Sequence, residues 1–287
     1  MTLLAVPNVS EGRDRDAIAA IAAAFSRNGA RLLDLHSDPD HHRTVFTLAG
    51  EPGQLADAVL AGARETLARI DLKTHNGRHP RVGAIDVAPI VYLDEADRGA
   101  ACAEALVLAD LLGAELELPV FLYGLLAEDR TRAELRRGGL AELRNRIESG
   151  ELAADFGPRR LHPSAGAALV AARPPLVAFN VELAPPATLE QAREIAAAIR
   201  EGGAEGIPGV RAIGLWLDER GVAQVSTNVE DHHSVRLKDV VAAVARRAPI
   251  AETELVGLAP GDALEGFPVE VPLRNRRTIE DALQNAH

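Results

Sequence analysis

The chain has 287 residues, 47% hydrophobic and 25% charged, a balance that supports a buried core and excludes a disordered tail. Its 31 basic and 42 acidic residues leave a formal net charge of −11 at pH 7, which opposes unspecific attraction to nucleic acid or an anionic membrane. The single cysteine, Cys102, excludes a disulfide framework and a cysteine zinc site.

Length suits two packed α/β units, and the elements can be read in order. Residues 3–9 form an apolar run that reads as a strand, followed by the loop Ser10-Glu11-Gly12-Arg13. Ile18, Ile21, Ala22 and Phe25 then recur at helical spacing. Residues 31–35 and 44–48 read as strands joined by a polar loop, and Leu55, Val59, Ala63 and Leu67 mark a second amphipathic helix. A strand over residues 83–93 completes β-α-β-β-α-β, the split βαβ or ferredoxin-like order. A helix over 96–112, a strand over 120–123 and a charged helix over 130–147 extend it.

The second half repeats the grammar. Strand 176–183, helix 189–200, a hairpin of 212–217 and 222–226 around Glu219-Arg220-Gly221, helix 235–246 and strand 254–258 give the same order. The expected fold is therefore α+β: two ferredoxin-like subdomains, residues 1–170 and 171–287, with mixed sheets and helices on the outer faces. Proline, glycine and alanine gather over residues 160–175, where the boundary is expected, and a site between the units would be lined from both.

Five of the nine histidines, His36, His41, His42, His75 and His79, fall in two polar loops of the first half. A ferredoxin-like sheet can bring both loops to one edge. Imidazole titrates near neutrality, so such residues suit proton transfer. Ligation of a metal by His36, Asp38, His41 and His75 is the rival, giving a metal-dependent hydrolase. No His-Glu-x-x-His, Gly-x-Ser-x-Gly, Gly-x-Gly-x-x-Gly or P-loop pattern is present. The boundary segment Gly157-Pro158-Arg159-Arg160-Leu161-His162-Pro163-Ser164-Ala165-Gly166 combines glycines, which let backbone approach a flat ligand, with arginines that can meet carboxylates. Arg43, Lys73, Arg78, Arg81, Arg159 and Arg160 place cations in these loops of an acidic chain, which favours a small anionic ligand.

Several phrases together resemble the formiminotransferase family. They are Val6-Pro7-Asn8-Val9-Ser10-Glu11-Gly12, Arg43-Thr44-Val45-Phe46-Thr47, His79-Pro80-Arg81-Val82-Gly83-Ala84-Ile85-Asp86-Val87 with Pro89, Asp155-Phe156-Gly157-Pro158, Val177-Ala178-Phe179-Asn180 and Gln224-Val225-Ser226-Thr227-Asn228. The resemblance implies transfer of a formimino group from N-formimino-L-glutamate to N5 of tetrahydrofolate, in histidine breakdown, without a metal. It implies His79 as general acid/base and the stretch Gly157 to Gly166 as the folate contact. Arg43 and Arg81 are candidates for the substrate carboxylates by charge complementarity. It further implies a homodimer without a fused cyclodeaminase domain. Lack of a basic leader, of an apolar run near the ~18 residues of a membrane span, and of more than one cysteine fits the cytoplasm. This chain departs from the family at Arg78, where glutamate is common, at Ala165, where an aromatic residue is common, and at His36, where some members are acidic. A folate-binding module without transfer is the alternative that Arg78 and Ala165 raise.

Overall fold

The computed structural model describes residues 1–75, 80–128 and 130–285. The chain divides into two compact units, Met1–Pro174 and Pro175–His287.

In the first unit the opening strand is two short pieces, β1 (Leu3–Ala5) and β2 (Asn8–Val9). Pro7 interrupts them because it has no N–H to donate, although its carbonyl still accepts from Phe46 N at 3.0 Å. Helix α1 (Arg15–Phe25) starts where Asp14 accepts from the amides of Asp16 and Ala17. The hairpin β3 (Arg31–Asp38) and β4 (Arg43–Gly50) follows, then α2 (Leu55–Arg69) and β5 (Ile85–Tyr92). Beyond these lie α3 (Arg98–Leu116), β6 (Val120–Leu122), α4 (Arg132–Arg136), α5 (Gly139–Glu148) and β7 (Ala168–Arg173).

The sheet runs β3-β4-(β1, β2)-β5-β7-β6. Its first four positions are antiparallel, whereas β7 pairs in parallel with both β5 and β6. One face is sealed by α1, α2 and α3 around Phe25, Phe46, Leu48, Val59, Ile90 and Leu108. Gly62 is required there, since a Cβ would overlap the Phe25 ring. Alternation along β5, β6 and β7 turns Val87, Phe121 and Leu169 to the other face, where they pack with Leu135 and Leu143 of α4 and α5.

The second unit contains β8 (Val177–Leu183), α6 (Leu189–Ile199), β9 (Val210–Leu217), β10 (Val222–Val229), α7 (Leu237–Ala245), β11 (Ile250–Leu255), β12 (Leu273–Arg274) and α8 (Ile279–Asn285). Its sheet runs β12-β11-β8-β10-β9, antiparallel except for β12. Phe179, Val181 and Val225 face a core completed by Ile195, Ile199, Val240 and Val244. The alternating positions Asn180, Glu182 and Gln224 are buried and polar.

Taken with the first strand as one, both units show the order fourth-first-third-second, with an added parallel strand beside the fourth. The α+β, ferredoxin-like expectation holds. Four details differ. Strand β3 continues to Asp38, so His36 lies on a strand instead of in a loop. The helix expected over 130–147 is two helices, broken where Gly138 and Gly139 both take φ of +69°. The segment read as boundary over 160–175 contains β7, whose alanines and valine are buried within the first sheet. Finally, β12 and α8 lacked a recognised signal. Among the described residues no helix is long and apolar enough to cross a membrane.

Candidate functional site

At one end of the first sheet, three segments meet: the loop after β2, the β3–β4 turn, and the chain leading into β5. The loop after β2 is pinned from both sides. Ser10 donates from N to Ala84 O and from Oγ to Gly83 O, each at 2.8 Å, and Thr44 Oγ1 donates to Glu11 O. Gly12 allows the approach: a Cβ there would overlap Asp38 O and sit 2.7 Å from Arg43 N. The Glu11 carboxylate turns back and accepts from the amides of Gly12, Arg13 and Asp14 at 2.9, 2.8 and 3.0 Å.

The β3–β4 turn presents His42, whose φ of +48° is uncommon for a residue with a side chain. Its Nδ1 accepts from Gly12 N at 3.1 Å and lies 3.4 Å from Glu11 Oε1. Asp38 Oδ1 accepts from His41 N at 2.8 Å, and Arg13 Nε donates to Pro39 O at 3.0 Å. The rings of His42 and His75 stack at 4.2 Å with a 33° tilt. Arg81 ties the segments together, donating from Nη2 to His41 O at 2.9 Å and from Nη1 to His42 O at 3.4 Å, with Nη1 also 2.6 Å from His75 Nδ1. On β5, buried Asp86 accepts from Val82 N at 2.6 Å and pairs with Arg136 of α4.

Burial and positive neighbours set the protonation. Desolvation, then Arg81 and His42, push the His75 imidazole down to about 4. Desolvation also lowers His42, against the pull of Glu11. Arg43 and Arg81 fall to about 10, chiefly by burial; Arg136 lowers both further. At neutral pH both arginines therefore remain charged beside two neutral imidazoles. That combination can attract an anion and leave nitrogen lone pairs free of protons.

The two loops read as histidine-rich do converge, through His42 and His75. His79 lies outside the described residues, as do Asn76, Gly77 and Arg78; the described chain flanks them at His75 and Pro80. Lys73, Arg159 and Arg160 are exposed. Within the stretch read as a folate contact, Gly157 takes φ of +76° against Leu118 O. Pro158 and Leu161 are partly covered and Pro163 is exposed. His162 and Gly166 exchange backbone hydrogen bonds of 2.9 and 3.1 Å, and His162 Nδ1 accepts from Ala165 N at 3.0 Å. Burial lowers the His162 imidazole. Ser164 O accepts from Leu72 N at 2.8 Å, which joins this turn to the segment bearing His75. Ala165 is packed into the apolar core of the unit, so its side chain offers no ligand surface.

His36 and His41 are buried, on β3 and in the turn, and Asp38 is engaged by His41 N. Among the described residues, His36, Asp38, His41 and His75 do not gather three ligand atoms at one point, so the geometry gives no support to the metal-hydrolase alternative. Glu11, Asp86 and Arg136 are the members that residue-by-residue reading assigned no role. Glu11 and Asp86 stood within quoted motifs. Arg136 had no signal, since only α4 packing brings it to Asp86.

Comparison with known proteins matches residues 2–173 to the formiminotransferase domain, N-terminal subdomain, and residues 178–266 to the formiminotransferase domain. The chain is 35% identical over 268 residues to glutamate formimidoyltransferase of Streptococcus pyogenes serotype M1, covering 90% of this chain and 89% of that protein. It is 34% identical over 270 residues to glutamate formimidoyltransferase of Thermoplasma acidophilum, covering 90% and 88%. Formimidoyltransferase-cyclodeaminase of Sus scrofa is 40% identical over 278 residues, covering 90% of this chain and 50% of the relative. The chain thus spans about half the length of the animal relatives it matches. With matches running through both units, the chain belongs to the formiminotransferase family.

Proposed function

We propose that this chain transfers the formimino group of N-formimino-L-glutamate to N5 of tetrahydrofolate and releases glutamate. The observation that carries the reading is the 35% identity to a glutamate formimidoyltransferase over nine-tenths of both chains. The charge of the histidine cluster supports it. The donor is a small dicarboxylate, and Arg43 and Arg81, half-buried and charged, suit its carboxylates.

In the proposed step N5 attacks the formimino carbon and a tetrahedral adduct forms. The bond from that carbon to the glutamate nitrogen then breaks. The nitrogen must gain a proton to leave as an amine, while N5 loses one. We assign both transfers to His79. His42 and His75, neutral and stacked, lie beside charged Arg81, and the Gly157–Gly166 stretch is the proposed folate contact. No metal takes part. A cytoplasmic homodimer acting in histidine breakdown completes the proposal.

Incubation with N-formimino-L-glutamate and tetrahydrofolate, with glutamate release measured, tests this. Native protein is expected to turn over, and His79→Ala to lose roughly 100-fold or more. Normal turnover by the variant removes the role of His79; tight binding of reduced folate with no transfer by native protein selects the binding module.

A further inference from the structure

The second unit holds another cluster of titratable side chains, none of them given a part in the reaction proposed above. His232 and His233 follow β10, and Asp262 lies some thirty residues on, in the single 3-10 turn Gly261–Leu264 after β11. His232 Nε2 is 3.2 Å from Asp262 Oδ1, and His233 Nδ1 is 3.0 Å from Asp262 Oδ2. Candidate ligand atoms from the three residues lie within 4.8 Å of one another.

The frame around them is fixed. Asp231 accepts from His233 N, Ser234 N and Ser234 Oγ at 3.0, 3.3 and 2.6 Å, which locks the two histidines in a turn with ring centroids 4.0 Å apart. Ala263 and Leu264 are buried and anchor the segment that bears Asp262. Arg236 bridges Asp262 Oδ2 at 3.2 Å and Glu265 Oε2 at 3.5 Å, leaving Oδ1 to His232. Asp231, Asp262 and Glu265 outweigh that one arginine, so the surroundings favour a cation.

His232 is only 5% exposed, and its Nδ1 has no hydrogen-bond partner among the described residues. With the proton on Nε2, that N–H meets the Asp262 carboxylate; with it on Nδ1, the Nε2 lone pair faces a carboxylate oxygen, and a dication between Nε2 and Asp262 removes that conflict.

We propose that His232, His233 and Asp262 bind a transition-metal dication of the zinc class, with water completing the coordination. Two imidazoles and one carboxylate suit Zn2+, Ni2+ or Cu2+, whereas Mg2+ and Ca2+ prefer all-oxygen sets. The ion joins the chain after β10 to the chain after β11, so it acts as a clip within the unit.

Untagged full-length protein is titrated with Co2+, then with Zn2+. One equivalent of Co2+ is expected to give the visible bands of a low-coordinate site, to be displaced by Zn2+, and Zn2+ is expected to raise Tm. His233→Ala removes a side chain that is 72% exposed, so folding is retained. That variant and Asp262→Asn are each expected to weaken Zn2+ binding by at least about tenfold. His42→Ala is expected to leave it unchanged. The proposal is overturned if native protein and His233→Ala bind Zn2+ alike, or if His42→Ala is the change that abolishes binding.

Discussion

Glu11 is an ionisable side chain whose first duty is to the backbone, since one of its oxygens collects three successive amides. Its charge also raises His42, opposing desolvation. Glu11→Gln is therefore expected to lower the His42 pKa further, read from the ring-proton shift of His42 during an NMR titration; an unchanged midpoint contradicts the coupling. Gly12 has no latitude. Gly12→Ala forces Cβ into Asp38 O, and overpacking of this kind costs about 1–3 kcal/mol, checked by urea denaturation. His75 carries a pH dependence of definite sign. Its folded value of about 4 lies below the ordinary imidazole value of 6.5, so the unfolded chain binds the extra proton. Its contribution is complete above pH 6.5 and is lost as pH falls toward 4. Replacing it by Asn should make the acid limb of the stability curve shallower across that window.

Among the elements, α2 lacks a local cap: Gln54 makes no side-chain bond to its first turn. Glu104 of α3 supplies one from a distance, accepting from Gly53 N at 2.6 Å and Ala56 N at 2.7 Å while only 5% exposed. Glu104→Ala strands two amides and is expected to cost about 1.5–3 kcal/mol, with unchanged m-value in urea. This cap also shows what the sequence leaves hidden. Helical spacing of Leu55, Val59 and Ala63 was sufficient to identify α2, because one buried face repeats every turn. Glu104 has no such pattern; its partner is set by how α2 and α3 pack. The same divide runs through the candidate site. His42 and His75 were legible as loop histidines, but Arg136 became a member only through the placement of α4. Strand β7 was misread because Ala168, Ala171 and Ala172 resemble linker composition, while their burial depends on the neighbouring strands β5 and β6.

Across the whole molecule, the two units meet the same strand order with different polar solutions. In the second, Arg274 stands among Glu182, Glu252 and Glu254 at 2.6, 3.1 and 3.3 Å, and Arg220 adds a contact to Glu182 at 3.0 Å. Glu182 is 2% exposed, and its carboxyl is raised by burial against the pull of these arginines. Arg274→Gln leaves that charge under-compensated and should destabilise by on the order of 3 kcal/mol in thermal or urea unfolding; a near-neutral result would show that the remaining arginine suffices. The first unit commits its polar groups instead to the connection between Asp38 and Arg43, in which Pro39 O, His41 N, His41 O and His42 Nδ1 are all engaged. Surface connections elsewhere tolerate gains and losses of length, but here one added or removed residue would break several bonds and shift the alignment of the whole hairpin. An insertion scan along the chain should therefore find a forbidden window at these few positions, a constraint on how descendants of this sequence can diversify.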